Sequence, residues 1–223
     1  MMATILGNVG LKPTGAAATI LTLVASDGTA ASPHAATLGS ATATLRDLTD
    51  AVHALAVVHG AFPGIVDHAM ARTTDDAARD WLIAAGAAMT AERSMLIRLA
   101  SAVGPLPSTP NQAASQAAIL GQRHTLEMLA QSDRNGCATG TALAFVLDWA
   151  AVRRVLDSCA DRVGLRAATD FTATSIAAHA FVEGVDATPP VERAMAFGAQ
   201  QMLAQHRGLW HLLAARATAR AQL

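Results

Sequence analysis

The sequence predicts an all-α protein, a helical bundle of about six helices preceded by an irregular N-terminal arm. Three observations carry that expectation. From Thr44 onward, apolar residues recur at three- and four-residue steps, the spacing of one helix face. No stretch alternates with the period of two that a half-buried strand requires. Short clusters of Gly, Pro and Asn separate the periodic segments, as loops between antiparallel helices do.

Residues 1–43 are rich in Thr, Ala, Gly and Ser and carry Pro13 and Pro33. They form the expected arm, with one short element at Ala16–Ala25; residues 44–223 form a single helical domain. Leu45, Leu48, Val52, Leu55 and His59 mark the first helix of that domain. Pro63 interrupts it, because proline lacks an amide donor and disfavours helix at the residue before it. A short continuation over Ile65–Arg72 follows. Thr73-Thr-Asp-Asp76 is a helix start, with a capping hydroxyl and then acids in the first turn. That helix runs to about Val103. Gly104-Pro-Leu-Pro-Ser-Thr-Pro110 breaks the chain, and Ser108 or Thr109 is expected to cap a helix reaching about Asp133. Asn135-Gly136 makes a turn. The next helix spans about Cys137–Val163 and stops at Gly164. A shorter one covers about Ala167–Glu183, and Thr188-Pro189-Pro190 opens the last, whose Arg216 and Arg220 suit its dipole.

Composition narrows the function. Of 223 residues, 52% are hydrophobic, 4% aromatic and about a quarter alanine, with one lysine against fifteen arginines. A net charge of −1 gives no electrostatic footprint for nucleic acid or an acidic membrane surface. No apolar run approaches the ~18 residues of a membrane span. The run Ala16–Ala25 lacks the basic flank and small-residue cleavage site of a signal peptide. Cys137 and Cys159, placed on one helix, stand about 33 Å apart at 1.5 Å per residue, too far for a disulfide. The expectation is a cytoplasmic protein.

Few ionisable groups are available, and several sit on apolar faces. Glu92 falls near the centre of the stripe Trp81, Ala85, Ala88, Met95 and Leu99. His59 falls within the first long stripe, and His206 within Val191, Met195, Met202, Leu209 and Leu213. Asp148 ends a segment that is apolar nearly all round. Unpaired buried charge costs several kcal/mol, so these groups need partners. Each could be satisfied separately, Glu92 by an arginine such as Arg123, and His59 by a carbonyl at the Pro63 kink. They could also converge on one polar centre. Gln116, Arg123, His124, Glu127 and Gln131 line one side of a further helix, where a solvated face is the plain reading; His124 and Glu127 are neighbours at i, i+3.

The di-metal carboxylate pattern requires Glu-x-x-His, which is absent; His124-Thr-Leu-Glu127 is its reverse. His59, Glu92, His124, Glu127 and His206 remain the candidate metal ligands. Iron or another divalent ion suits their chemistry, although no cofactor is required. Gly7-Asn-Val-Gly10-Leu-Lys12-Pro-Thr14 departs from a phosphate loop at Leu11 and Pro13. No nucleophile elbow, zincin or dinucleotide motif occurs.

Pro107-Ser-Thr-Pro-Asn-Gln112, Gly121-Gln-Arg-His124, Ser132-Asp-Arg-Asn-Gly136 and His59-Gly-Ala-Phe-Pro-Gly-Ile-Val-Asp67-His68 resemble uncharacterised Ala- and Arg-rich proteins of alphaproteobacteria. That resemblance implies a bacterial cytosolic protein and supplies no catalytic residue. The expected function is a non-catalytic helical domain that binds a protein partner or small ligand, compatible with a homodimer. The alternative is a metal-dependent, oxidoreductase-like enzyme with a buried His/carboxylate centre.

Overall fold

The computed structural model describes residues 15–166 and 171–222. The Gly7–Thr14 spacing and the expected helix start at Ala167 lie outside the described residues. Among the described residues there are nine α-helices and no strand. In chain order these are α1 (Gly15–Asp27), α2 (Pro33–Leu38), α3 (Leu45–His59), α4 (Ile65–Arg72), α5 (Asp76–Ala102), α6 (Gln112–Ala130), α7 (Cys137–Val163), α8 (Thr172–Glu183) and α9 (Pro189–Ala221). A single 3-10 turn, Thr29–Ala31, joins α1 to α2.

The bundle is therefore all-α, with more elements than six. Beyond the six, α1 covers the short element expected at Ala16–Ala25, α4 coincides with the expected continuation over Ile65–Arg72 but is a separate helix, and α2 lies in the arm expected to be irregular. Alanine hides α1 from a periodicity argument, because Ala is as acceptable on a wet face as on a packed one. Its Ala16, Ala17 and Ile20 are buried, and the Ala16 amide donates to Glu192 Oε1 on α9 at 3.2 Å. Ser32 caps α2 by accepting from the Ala35 amide at 3.3 Å, with Pro33 in the first turn.

Most boundaries follow local chemistry. Thr44 Oγ1 accepts from the Asp47 amide at 3.1 Å and starts α3. The Asp75 carboxylate, and not a hydroxyl, caps α5 from the Ala78 amide at 2.7 Å. Gly164, at φ 69°, ends α7 in the left-handed region that glycine tolerates. The start of α6 differs from expectation. Asn111 precedes it in a left-handed conformation, and Thr109 turns inward, where its hydroxyl accepts from Arg220 Nη1 at 3.0 Å.

At the centre lies α7, which packs against every other helix and is buried without a break from Cys137 to Trp149. Its closest neighbour is α9. A Cβ at Gly140 would lie 2.1 Å from the Met195 carbonyl oxygen, and one at Gly198 2.2 Å from that of Cys137. Glycine at both positions lets the two backbones touch, which brings α9 side chains within hydrogen-bonding reach of α7. The far end of α9 is anchored differently. Arg216 and Arg220 do not end in water; both are buried, and they pair with Asp50 at 2.8 and 2.5 Å. Arg220 also holds Asp47 at 2.6 Å.

Candidate polar centre

Asp148, on the buried stretch of α7, organises the site. Its Oδ1 accepts from the Thr29 amide at 2.6 Å. Its Oδ2 accepts from the Thr29 hydroxyl at 2.6 Å and from His206 Nδ1 at 2.6 Å. The Thr29 hydroxyl in turn accepts from Trp210 Nε1 at 2.8 Å. A carboxylate with three donors tolerates burial, since each bond replaces one it made to water. The backbone closes tightly around it, and a Cβ at Gly28 would fall 2.6 Å from Asp148 Oδ1.

The chain of hydrogen bonds continues through His206, whose Nε2 lies 3.0 Å from His59 Nε2. One ring must donate and the other accept, so a single proton occupies that contact. His59 stacks on Phe145 with centroids 4.9 Å apart and meets the edge of Trp149 at 5.4 Å. Burial, and then the neighbouring His206 ring, hold the His59 pKa well below its ordinary 6.5. The ring is therefore neutral at neutral pH.

Trp149 links this chain to the fourth residue read from the stripes. Its Nε1 donates to Glu92 Oε2 at 2.8 Å, and Arg153 Nη1 donates to Glu92 Oε1 at 2.6 Å. Glu92 thus pairs with Arg153 on α7 and not with Arg123. His59 likewise bonds His206 and not a carbonyl beside Pro63. Three of the four stripe residues (Asp148, His206 and His59) form one hydrogen-bonded chain, with Glu92 one indole ring away. Among the described residues, no α6 side chain is hydrogen-bonded to it, although Arg123 and Glu127 line the same crevice as His59. His124 is exposed, and Glu127 pairs with Arg123 at 2.7 Å near the surface. Among the described residues, no group of three or more His, Cys, Asp or Glu is placed to hold a metal ion.

One side of His59 faces a narrow crevice of about 20 Å³, enough for about one water molecule. Phe145, Met89 and Leu126 supply apolar wall; Arg93, Arg123 and Glu127 supply the charge. Arg93 is held by Asp67 at 2.9 Å and lies 5.4 Å from the Phe62 ring centroid. Among the described residues, His59 Nδ1 has no hydrogen-bond partner.

Sequence reasoning missed Thr29, Trp149, Arg153 and Asp50. Thr29 and Asp50 gave no signal, one lying in the arm and the other half a turn from the α3 stripe. Arg153 could have been found, since it follows directly on the all-apolar part of α7.

A model of a family of unknown function (DUF6975) matches residues 24–221. No curated protein and no solved structure matches the chain. Among the described residues, no helix is long and apolar enough to cross a membrane.

Proposed function

The chain belongs to this family of unknown function, and we propose that it acts as a non-catalytic, small-ligand-binding helical domain whose ligand is received at His59. One observation carries the reading: Thr29, Asp148, His206 and His59 form a continuous hydrogen-bonded chain, and it ends on a ring nitrogen, His59 Nδ1, that has no hydrogen-bond partner among the described residues. Asp148 orients His206, His206 orients His59, and His59 lines the crevice. Nδ1 receives an anion with the one hydrogen of the neutral ring on that nitrogen and His206 donating to Nε2. Arg93 and Arg123 in the walls favour a small polar or anionic group over an apolar one. The crevice admits only the tip of such a ligand.

Imidazole-labelled ¹⁵N NMR tests this with formate and with phosphate as probes. Saturable movement of the His59 ring resonances, absent from His59→Gln, is expected. If neither anion shifts those resonances at millimolar concentration, the reading fails.

A second reading, the metal-dependent oxidoreductase-like enzyme, is favoured by one feature. His59 and His206 point Nε2 at Nε2, with Asp148 behind His206, as carboxylates stand behind metal-bound histidines. A metal there would replace the shared proton and take its remaining ligands from water, because Glu92 is committed to Trp149 and Arg153. Elemental analysis of untagged protein decides it: well under one equivalent, with none taken up on addition, removes this reading.

A further inference from the structure

A second cavity, of about 390 Å³, opens between α3, α6 and the C-terminal part of α9. It shares no lining residue with the His59 crevice. Its size falls within the range of small-molecule sites. The walls are apolar: Ile119 is buried, while Val57 and Leu120 are 39% and 55% exposed at its mouth. The floor is polar, with Arg216, Asp50 and Gln112.

The hydrogen bonding of that floor is one-sided. Asp50 receives Arg216 through Nε at 2.9 Å and Nη2 at 2.8 Å, and also receives Arg220 Nη1. Gln112 Oε1 accepts from Arg216 Nη2 at 3.0 Å. What remains is donors: among the described residues, Arg216 Nη1 and Gln112 Nε2 are both buried and without a partner, as is Arg220 Nε outside the cavity lining. Buried donors left unmade are costly, and native proteins keep few of them. The acceptors of Asp50 are all engaged; Arg216 and Gln112 are bonded to each other and both line the cavity, so one acceptor group bound there can serve guanidinium and amide together.

We propose that this cavity binds a medium-chain monocarboxylate, its carboxylate on Arg216 and Gln112 and its hydrocarbon along Val57, Ile119 and Leu120. A carboxylate supplies two oxygens for the two donors, and the apolar walls accept a chain that need not be specific in shape.

Isothermal titration of the full chain with octanoate, octanol and acetate tests the assignment. Octanoate should bind saturably, octanol at least about tenfold more weakly, the equivalent of one lost charged hydrogen bond, and acetate not measurably in His59→Gln, where the His59 crevice no longer takes a small anion. Leu120→Glu, at an exposed position, should abolish octanoate binding with the helical circular dichroism unchanged, and Gln112→Leu should weaken it. His59→Gln should leave it intact, which separates this site from the His59 crevice. Failure of octanoate to bind overturns the proposal. So does octanol binding as well as octanoate, which would mark a merely apolar cleft, or wild-type affinity in Leu120→Glu.

Discussion

His206 touches His59 with one ring nitrogen, at 3.0 Å, and Asp148 with the other, at 2.6 Å. One residue of α9 therefore couples the centre of α7 to the end of α3. Removing the carboxylate strands the Thr29 amide, the Thr29 hydroxyl and His206 Nδ1 together, on two residues that are each 1% exposed. Asp148→Ala is expected to cost at least about 3 kcal/mol, the usual scale for breaking a buried charged network. Urea denaturation followed by tryptophan fluorescence measures it, because Trp210 donates to the same Thr29 hydroxyl. A loss below about 1 kcal/mol would mean that the network contributes no more than an ordinary surface contact.

The His59 shift sets the direction of a pH effect. Its folded pKa lies below the unfolded value of 6.5, so the native ring resists a proton that the unfolded chain accepts. Stability from this group is fully present above about pH 6.5 and is lost as pH falls from there down through the lower folded pKa. His34 shifts the same way, again chiefly through burial. The groups facing His59 are His206, with Asp148 behind it, and Arg93, Arg123 and Glu127 in the crevice. The thermal midpoint should fall between about pH 7 and 5, before most carboxylates titrate. His59→Gln should flatten part of that slope; an unchanged slope would place its origin elsewhere.

Gly140 and Gly198 make the contact of α7 with α9 a backbone contact. In Gly140→Ala the new methyl would meet the Met195 carbonyl and Cα, neither of which can rotate away. The helices must part, and the loss should be about 2–3 kcal/mol by the scale of overpacked cores. Gly121→Ala, on α6 with open space around its Cβ position, should be neutral or slightly stabilising through helix propensity. Comparing the two denaturation midpoints separates steric cost from any general effect of substituting helical glycine.

Both thiols are buried, and burial pushes the Cys159 pKa up to about 11. Thiolate is the reactive form, so this thiol should be inert in the native state. Ellman's reagent is expected to find no thiol within minutes in buffer and two in denaturant. Fast reaction of either cysteine in buffer would show local opening of α7.

The long helices were legible in the sequence because their stripes and caps are local. So were the four ionisable residues within those stripes, and three of them do meet. What stayed hidden depends on contacts that no single helix encodes. Asp50 lies half a turn from the α3 stripe and looks solvated on a helical wheel. It is buried because α3 is covered on more than one side, and Arg216 and Arg220 of α9 reach it. Thr29 was invisible for a related reason, since its importance comes from a turn folded over Asp148. Alanine-rich α1 gave no stripe at all, and its place against α9 rests on small side chains permitting close approach.

Glu92 separates a stabilising role from a specifying one. It holds Trp149 Nε1 at 2.8 Å and Arg153 Nη1 at 2.6 Å, and it is 1% exposed. Glu92→Gln keeps the shape but loses one of the charges opposite the buried Arg153 guanidinium; because Asp157 still pairs with it at 3.0 Å, the cost should be about 1–3 kcal/mol. Replacing both partners, as in Glu92→Leu with Arg153→Met, removes the charge and its counter-charge together and should recover most of that loss, because a buried pair contributes little beyond its own desolvation. The indole of Trp149 is then the informative reporter. With no acceptor for its N–H, its emission and its contact with the His59 ring should change even where the double variant is stable. A double variant as unstable as Glu92→Gln would show that the carboxylate supports the fold chiefly through Trp149 and not through Arg153.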